Sequence, residues 1–173
     1  MLERILIAGS GGQGILLIGR LLARSAMQSV PHVTYFPAYG AEVRGGTSNC
    51  QIVLSGDEIH SPVPEQYDTM LILNRESAMR FLPTRAATTR VILNTALCEP
   101  VGDPHVVSVR ATDIANELGE IRTANFVMLG AYLAGKTVVP VAAIKEGIRH
   151  ELAGKPEALI AMNIEALEIG LYA

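Results

Sequence analysis

Arg4-Ile5-Leu6-Ile7-Ala8-Gly9-Ser10-Gly11-Gly12-Gln13-Gly14 is the stretch that decides the fold. A short aliphatic run breaks into a turn with four glycines in six residues, and a long apolar segment, Ile15-Leu16-Leu17-Ile18-Gly19-Arg20-Leu21-Leu22-Ala23, follows at once. Strand, glycine-rich turn and helix in that order open a nucleotide- or phosphate-binding α/β unit. Glycine lets the backbone turn sharply and approach a ligand, and the helix that follows presents unpaired N–H groups at the positive end of its dipole.

Working outward, residues 4–8 read as a buried strand and residues 13 to about 29 as a helix. Arg20, Arg24 and Gln28 mark the helix's one wet stripe at i, i+4, i+8. Pro31 stops it. Residues 32–36 form a second strand, which Pro37 is expected to end. Residues 49–55 form a third, with Cys50, Ile52 and Leu54 on one face. After the turn Ser55-Gly56-Asp57, residues 58–61 read as a short antiparallel return strand closed by Pro62 and Pro64. Residues 69–73 are a strand ending at Asn74, 75–81 a short helix before Pro83, 90–93 a strand ending at Asn94, and 106–109 the last clear strand.

From residue 111 the pattern is helical: 111–118, 123–134, 141 to about 152, and 156 to about 169. Asp113 is placed to cap the first of these helices, Gly119 to close it and Gly135 to close the second. The expected architecture is a single domain over 1–173, a three-layer α/β/α fold. It has a mostly parallel, mixed sheet, a Rossmann-like start and a helical C-terminal third.

The 173 residues suffice for a full three-layer core. Hydrophobic residues make up 49% and aromatics only 5%, with no tryptophan, so the core is aliphatic, as suits a parallel sheet covered by helices. Net charge is −3 and no basic stripe with interleaved aromatics is present, which argues against nucleic acid. No apolar run reaches the length of a membrane span, and a strand from residue 4 leaves no room for a leader, so a cytoplasmic protein is expected. Cys50 and Cys98 are too few and too far apart for a metal or iron–sulfur set. The four histidines share no ligand spacing.

Gly9-x-Gly11-x-x-Gly14 satisfies the dinucleotide fingerprint, but the acidic residue wanted at the end of the second strand is missing. Tyr35-Phe36-Pro37 stands there, and the first acid is Glu42. Three readings follow: NAD(P) or flavin binding, a tight turn without a ligand, and a phosphate or similar anion from another ligand. The loop Pro37-Ala38-Tyr39-Gly40-Ala41-Glu42-Val43-Arg44-Gly45-Gly46-Thr47-Ser48 has almost no core-forming residues. It is either a solvated loop with two surface charges, or a carboxylate- or phosphate-holding loop built on Arg44, Gly45, Gly46 and the hydroxyls of Thr47 and Ser48. Asn74 and Asn94 follow strands at the edge where open α/β sheets bind ligands, and Asn is equally a turn residue. Asp68, at the opposite edge, reads as structural, Cys50 as core, and Cys98 as an exposed loop residue. There is no nucleophile elbow, metal motif or adjacent acid–base pair, so the domain reads as one part of a larger enzyme.

Taken together, Gly9-Ser10-Gly11-Gly12-Gln13-Gly14, Tyr39-Gly40-Ala41-Glu42-Val43-Arg44-Gly45-Gly46-Thr47, Ile59-His60-Ser61-Pro62, Leu71-Ile72-Leu73-Asn74, Ala111-Thr112-Asp113-Ile114-Ala115 and Thr123-Ala124-Asn125-Phe126-Val127-Met128-Leu129-Gly130 resemble the gamma subunit of 2-oxoacid:ferredoxin (acceptor) oxidoreductases. So does the C-terminal Lys155-Pro156-Glu157…Asn163…Ala166-Leu167-Glu168…Gly170. The resemblance implies a subunit, inactive alone, of a thiamine-diphosphate enzyme that converts a 2-oxoacid to acyl-CoA and passes electrons to ferredoxin. It favours 2-oxoglutarate or branched-chain substrates. It implies alpha and beta partners, with a delta subunit in four-subunit forms, that hold the thiamine diphosphate and iron–sulfur clusters. Gly9, Gly11, Gly12, Gln13, Gly14, Tyr39, Glu42, Arg44, Gly45, Gly46, Thr47 and Asn74 are then the residues facing CoA or partners. An exposed docking surface would also favour homo-oligomers of the isolated chain. A free-standing NAD(P) or flavin oxidoreductase and a purely structural assembly subunit are the alternatives.

Overall fold

Six runs rich in β-branched and aliphatic residues pair into one sheet: β1 (Leu2–Ser10), β2 (His32–Tyr39), β3 (Thr47–Ser55), β4 (Thr69–Ile72), β5 (Arg90–Asn94) and β6 (Val106–Val109). In the computed structural model the described residues are 1–39, 47–136 and 138–173, with Tyr39 described in its backbone alone. The strand order is β2-β3-β1-β4-β5-β6. The β1–β4, β4–β5 and β5–β6 pairs are parallel, and β3 runs antiparallel to both its neighbours.

That order corrects two expectations. Residues 58–61 form no strand, because both edges of β3 are already taken, by β1 and by β2. Instead Ser61 closes a small turn, accepting the Val63 N–H at 3.3 Å and donating to the Val63 carbonyl at 3.0 Å. Pro37 does not end β2, which continues to Tyr39. β2 lies at the sheet edge, the one place where a residue without an N–H costs no ladder bond. Strand β3 likewise starts at Thr47, two residues earlier than expected.

The helices are α1 (Ile15–Ala26), α2 (Arg75–Phe81), α3 (Ala111–Glu117), α4 (Ala124–Leu133), α5 (Val141–Glu151) and α6 (Glu157–Gly170). Helix α1 keeps its wet stripe in the exposed Arg20 and Arg24, but it ends at Ala26, three residues earlier than expected, and the exposed Gln28 lies in the turn beyond it. Asp113 does not cap α3. Arg110 holds the cap position, and Asp113 in the first turn accepts its guanidinium at 2.7 Å. Gly119 closes α3 as expected, in the left-handed region at φ 85°, with Glu120 N–H bonded to Ala115 O and Gly119 N–H to Asn116 O.

The sheet divides two cores. Ile5, Ile7, Cys50, Ile52, Leu54, Leu71 and Ile92 pack under α1, α4, α5 and α6. Leu6, Ala8, Met70, Ile72, Val91 and Leu93 face the other way, under Ala78 and Phe81 of α2. Alternate residues of each strand supply alternate faces, as the pleat requires. This placement sets the site. The helix after β1 covers one face and the helix after β4 covers the other, although β1 and β4 are adjacent and parallel. The crevice between their C-terminal ends is therefore the topological switch point, where open α/β sheets bind ligands.

Candidate functional site

The glycine turn sits in that crevice. Gly12 and Gly14 both have positive φ, 91° and 71°, a conformation glycine adopts without penalty. Gly14 is the N-cap of α1 and offers no side chain to its first N–H groups. A Cβ on Gly11 or Gly12 would meet nothing within 4 Å, so the turn's tip stands open. The turn is held from inside. Gln13 folds back so that its Oε1 accepts the Ser10 N–H at 2.8 Å and the Ser10 hydroxyl at 3.1 Å, while its own N–H donates to Ser10 O at 3.2 Å. Its amide nitrogen reaches the Leu73 carbonyl at 3.5 Å.

The ends of β4 and β5 are tied to the same point. Asn94 donates to Leu73 O at 3.1 Å and to Thr112 Oγ1 at 2.9 Å. Asn74 is the N-cap of α2: its Oδ1 accepts the Ser77 N–H at 3.0 Å, and Ser77 Oγ donates to the Gly9 carbonyl at 3.3 Å. Of the two asparagines, Asn74 is thus engaged in capping and Asn94 in bracing the crevice. On the other flank, Thr47 Oγ1 accepts from Arg80 at 2.7 Å.

The loop between β2 and β3 leaves and re-enters the sheet at this edge. Ser10 pairs with Thr47, and Gly9 and Tyr39 both pair with Ser48. Glu42, Arg44, Gly45 and Gly46, with the Tyr39 side chain, lie outside the described residues. The structure therefore places Gly9, Gly11, Gly12, Gln13, Gly14, Thr47 and Asn74 together at one sheet edge, with the backbone of Tyr39 beside them.

Sequence reasoning missed Asn125, Thr112 and Arg122, which with Gly12, Gln13 and Asn94 line a cavity of about 220 Å³ beside the turn. The Asn125 amide donates to Gly14 O at 3.3 Å, and a Cβ on Gly14 would collide with that amide. A lone amide opening an otherwise apolar helix, Phe126 to Leu133, was the signal available. Arg122 is clamped by Glu120, whose carboxyl is held down to about 2 by bonds from the Arg122 guanidinium and N–H. The lining offers amides, a hydroxyl and a guanidinium, which suit it for holding a ligand.

Neither cysteine is reactive. Cys50 is fully buried under α1, and burial pushes its thiol up to about 12. Cys98, expected exposed, is buried in the opposite core because its N–H bonds back to Asn94 O and turns it under the sheet. Burial, then the Glu76 charge, pushes its thiol up to about 11, so it is protonated at neutral pH.

A family model described as pyruvate ferredoxin/flavodoxin oxidoreductase matches residues 4–173. The chain belongs to that family. It is a gamma-type chain of the 2-oxoacid:ferredoxin oxidoreductases. It is 39% identical over 170 residues to the ketoisovalerate oxidoreductase subunit VorA of Methanothermobacter thermautotrophicus, covering 96% of this chain and 35% of that one. The gamma subunit of a keto/oxoacid ferredoxin oxidoreductase from Geobacter sulfurreducens superposes with a TM-score of 0.79 at 25% identity, covering 98% of this chain and 96% of that one. The 2-oxoglutarate:ferredoxin oxidoreductase of Magnetococcus marinus, solved with 2-oxoglutarate, coenzyme A and succinyl-CoA bound, shares the fold at a TM-score of 0.87 and 23% identity. That match covers 98% of this chain and 30% of that one. The gamma-type chain thus spans about a third of the VorA relative it matches. No helix among the described residues is long and apolar enough to cross a membrane.

Proposed function

We propose that this chain works as the gamma subunit of a cytoplasmic, thiamine-diphosphate-dependent 2-oxoacid:ferredoxin oxidoreductase. Such an enzyme decarboxylates a 2-oxoacid, transfers the acyl group to CoA and passes two electrons to ferredoxin. Alpha and beta subunits, joined by delta in four-subunit forms, hold the diphosphate cofactor and the iron–sulfur clusters. The two cysteines of this chain lie in opposite cores and suit no cluster. The likeness to VorA and to the fold of the 2-oxoglutarate enzyme supports a branched-chain 2-oxoacid or 2-oxoglutarate as substrate.

The observation that carries the role of this subunit is the open glycine turn at the switch point, capped by Gly14 at the N-terminus of α1. It fits the phosphates of CoA: backbone N–H groups and the helix dipole favour an anion, and no side chain closes the tip. CoA supplies the thiol that accepts the acyl group. The turn of Gly9, Gly11, Gly12 and Gly14 holds and orients its anionic end, Gln13 keeps the turn in shape, and the loop with Tyr39, Glu42, Arg44, Gly45 and Gly46 completes the anion site or faces the partner subunits.

A dinucleotide reading fares worse on geometry. The antiparallel β3 lies between β1 and β2, which sets the end of β2 about 10 Å from β1, at roughly 4.8 Å per strand. The end of β2 is thus one strand farther from the glycine turn than in the dinucleotide fold, and it carries no acid.

Reconstitution tests the proposal, using this chain with its alpha and beta partners, a 2-oxoacid, CoA and a viologen dye. CoA-dependent dye reduction should fall sharply when this chain is omitted. A full CoA-dependent rate without it would leave only an assembly role.

A further inference from the structure

The two faces of the sheet are covered unequally. Helices α1, α4, α5 and α6 pack on one, whereas α2, seven residues long, packs on the other. Beside α2 this thin cover leaves a groove of about 520 Å³. Ala78, Met79, Leu82 and Pro83 form one wall, and Cys98 and Val101, from the segment after β5, form the other. Met79 stands up from its wall, 71% exposed. A large apolar side chain held in water beside an apolar groove marks a contact surface.

The lining decides what kind of partner fits. No amide or hydroxyl side chain lines the groove, so it lacks the converging polar groups that orient a small ligand. Three charged residues stand around it. Arg85 is engaged by Asp103 at 2.8 Å. Arg75, on the α2 wall, and Glu99, on the opposite wall, are exposed and make no hydrogen bond or ion pair among the described residues. One patch thus carries a knob, a hole, a free cation and a free anion. A surface that holds both halves of a contact is complementary to itself, as a two-fold interface requires.

We propose that this groove seats a second copy of the chain. A two-fold axis beside Met79 places each Met79 in the groove of the other copy and each Arg75 against the other copy's Glu99. The pairing closes the thinner face of the sheet on both copies, and it does not depend on the role of the glycine turn. A contact built on a seven-residue helix belongs to the small class, under about 1,200 Å², so the dimer is weak and forms as concentration rises.

Sedimentation equilibrium of the full chain over a range of concentrations tests this, with a monomer–dimer equilibrium as the expected result. Met79→Asp, at a side chain that contributes little to the fold, should weaken the dimer about tenfold or more and leave the thermal midpoint unchanged. Arg75→Glu and Glu99→Arg should each weaken it several-fold, because a two-fold contact carries every substitution twice. The Arg75→Glu/Glu99→Arg double variant should recover the wild-type affinity. Substitutions on one side of a contact between unlike chains cannot do that.

A monomer at every concentration overturns the proposal, and failure of Met79→Asp to join the alpha and beta chains would then assign the groove to them. A dimer that survives Met79→Asp, or a double variant no tighter than the single ones, places the contact elsewhere and overturns it equally.

Discussion

Gly130 of α4 and Gly170 of α6 meet backbone to backbone. A methyl group on Gly130 would run into the Leu167 carbonyl and stand 2.9 Å from the Gly170 Cα, and one on Gly170 would run into the Val127 carbonyl and stand 3.0 Å from the Gly130 Cα. Neither glycine is there for its backbone angles, since neither has a positive φ. Absence of a side chain lets the two helices close over the sheet and seal Val127, Leu129, Ala166 and Leu167 from water.

Gly130→Ala and Gly170→Ala should each destabilise the fold by about 1–3 kcal/mol, despite alanine's better helix propensity, because the obstacle is backbone that cannot step aside. Chemical denaturation gives the value. A stabilising Gly130→Ala would show that the helices can separate freely.

Gln13 separates shape from charge at the glycine turn. Gln13→Ala removes the acceptor for the Ser10 N–H and hydroxyl and should cost about 1 kcal/mol. Gln13→Glu keeps that acceptor and should restore much of the stability, yet it places a negative charge beside the anion site. Pyrophosphate affinity should therefore fall in Gln13→Glu while thermal stability stays near that of the wild type. Equal losses of both in the two variants would reduce Gln13 to a packing role.

At the opposite edge of the sheet, Arg4 grips Asp68 through Nε at 2.9 Å, Nη2 at 2.8 Å and its backbone N–H at 2.9 Å. The Arg4 side-chain bond, then its backbone N–H and its charge, with a smaller pull from Lys136, hold the Asp68 carboxyl below its ordinary value against the cost of burial. A depressed carboxyl stabilises the fold above its unfolded value of about 3.9 and loses that contribution as pH falls through its folded value. Both side chains are about a third exposed, 35% and 39%, so solvent discounts the pair to about 1 kcal/mol at pH 7. The stability gap between wild type and Asp68→Asn, followed by urea titration, should be present at pH 7 and shrink below about pH 4. A constant gap would assign the loss to packing.

The glycine turn, the aliphatic strands and the C-terminal helices were legible in the sequence because each is specified within a dozen neighbouring residues. The sheet order was not. Whether residues 47–55 pair outward or insert between β1 and β2 depends on contacts far apart in the chain, and the expected return strand at 58–61 was drawn on an edge that β1 and β2 had already taken. The site divides the same way. Gly12, Gly14 and Gln13 announced themselves locally, whereas Asn125 reaches Gly14 across 111 positions and Arg80 reaches Thr47 across 33. Asn74 was read as following a strand at the sheet's C-terminal edge, where it stands, but only the structure shows its oxygen engaged by Ser77 as a helix cap.

Glu3 and Lys136 form the most buried ion pair among the described residues, at 2.6 Å, with side chains 7% and 27% exposed. Thr69 Oγ1 donates a second bond to the same Glu3 oxygen at 3.1 Å, and the Lys136 ammonium lies 5.8 Å from the centre of the Tyr132 ring. The two partners are not equivalent. Removing Lys136 leaves a carboxylate in the core with no cation beside it and only neutral donors such as Thr69 Oγ1, whereas removing Glu3 leaves an ammonium that can swing toward water along its own stem. Lys136→Met should therefore cost about 2–3 kcal/mol and Glu3→Leu distinctly less. The Glu3→Leu/Lys136→Met double variant should recover most of the loss, since an apolar pair avoids the desolvation of both charges. Denaturant midpoints of the three variants decide it: additive losses, or a Glu3→Leu cost equal to that of Lys136→Met, would mean that packing around Glu3, and not its charge, sets the energy at this edge.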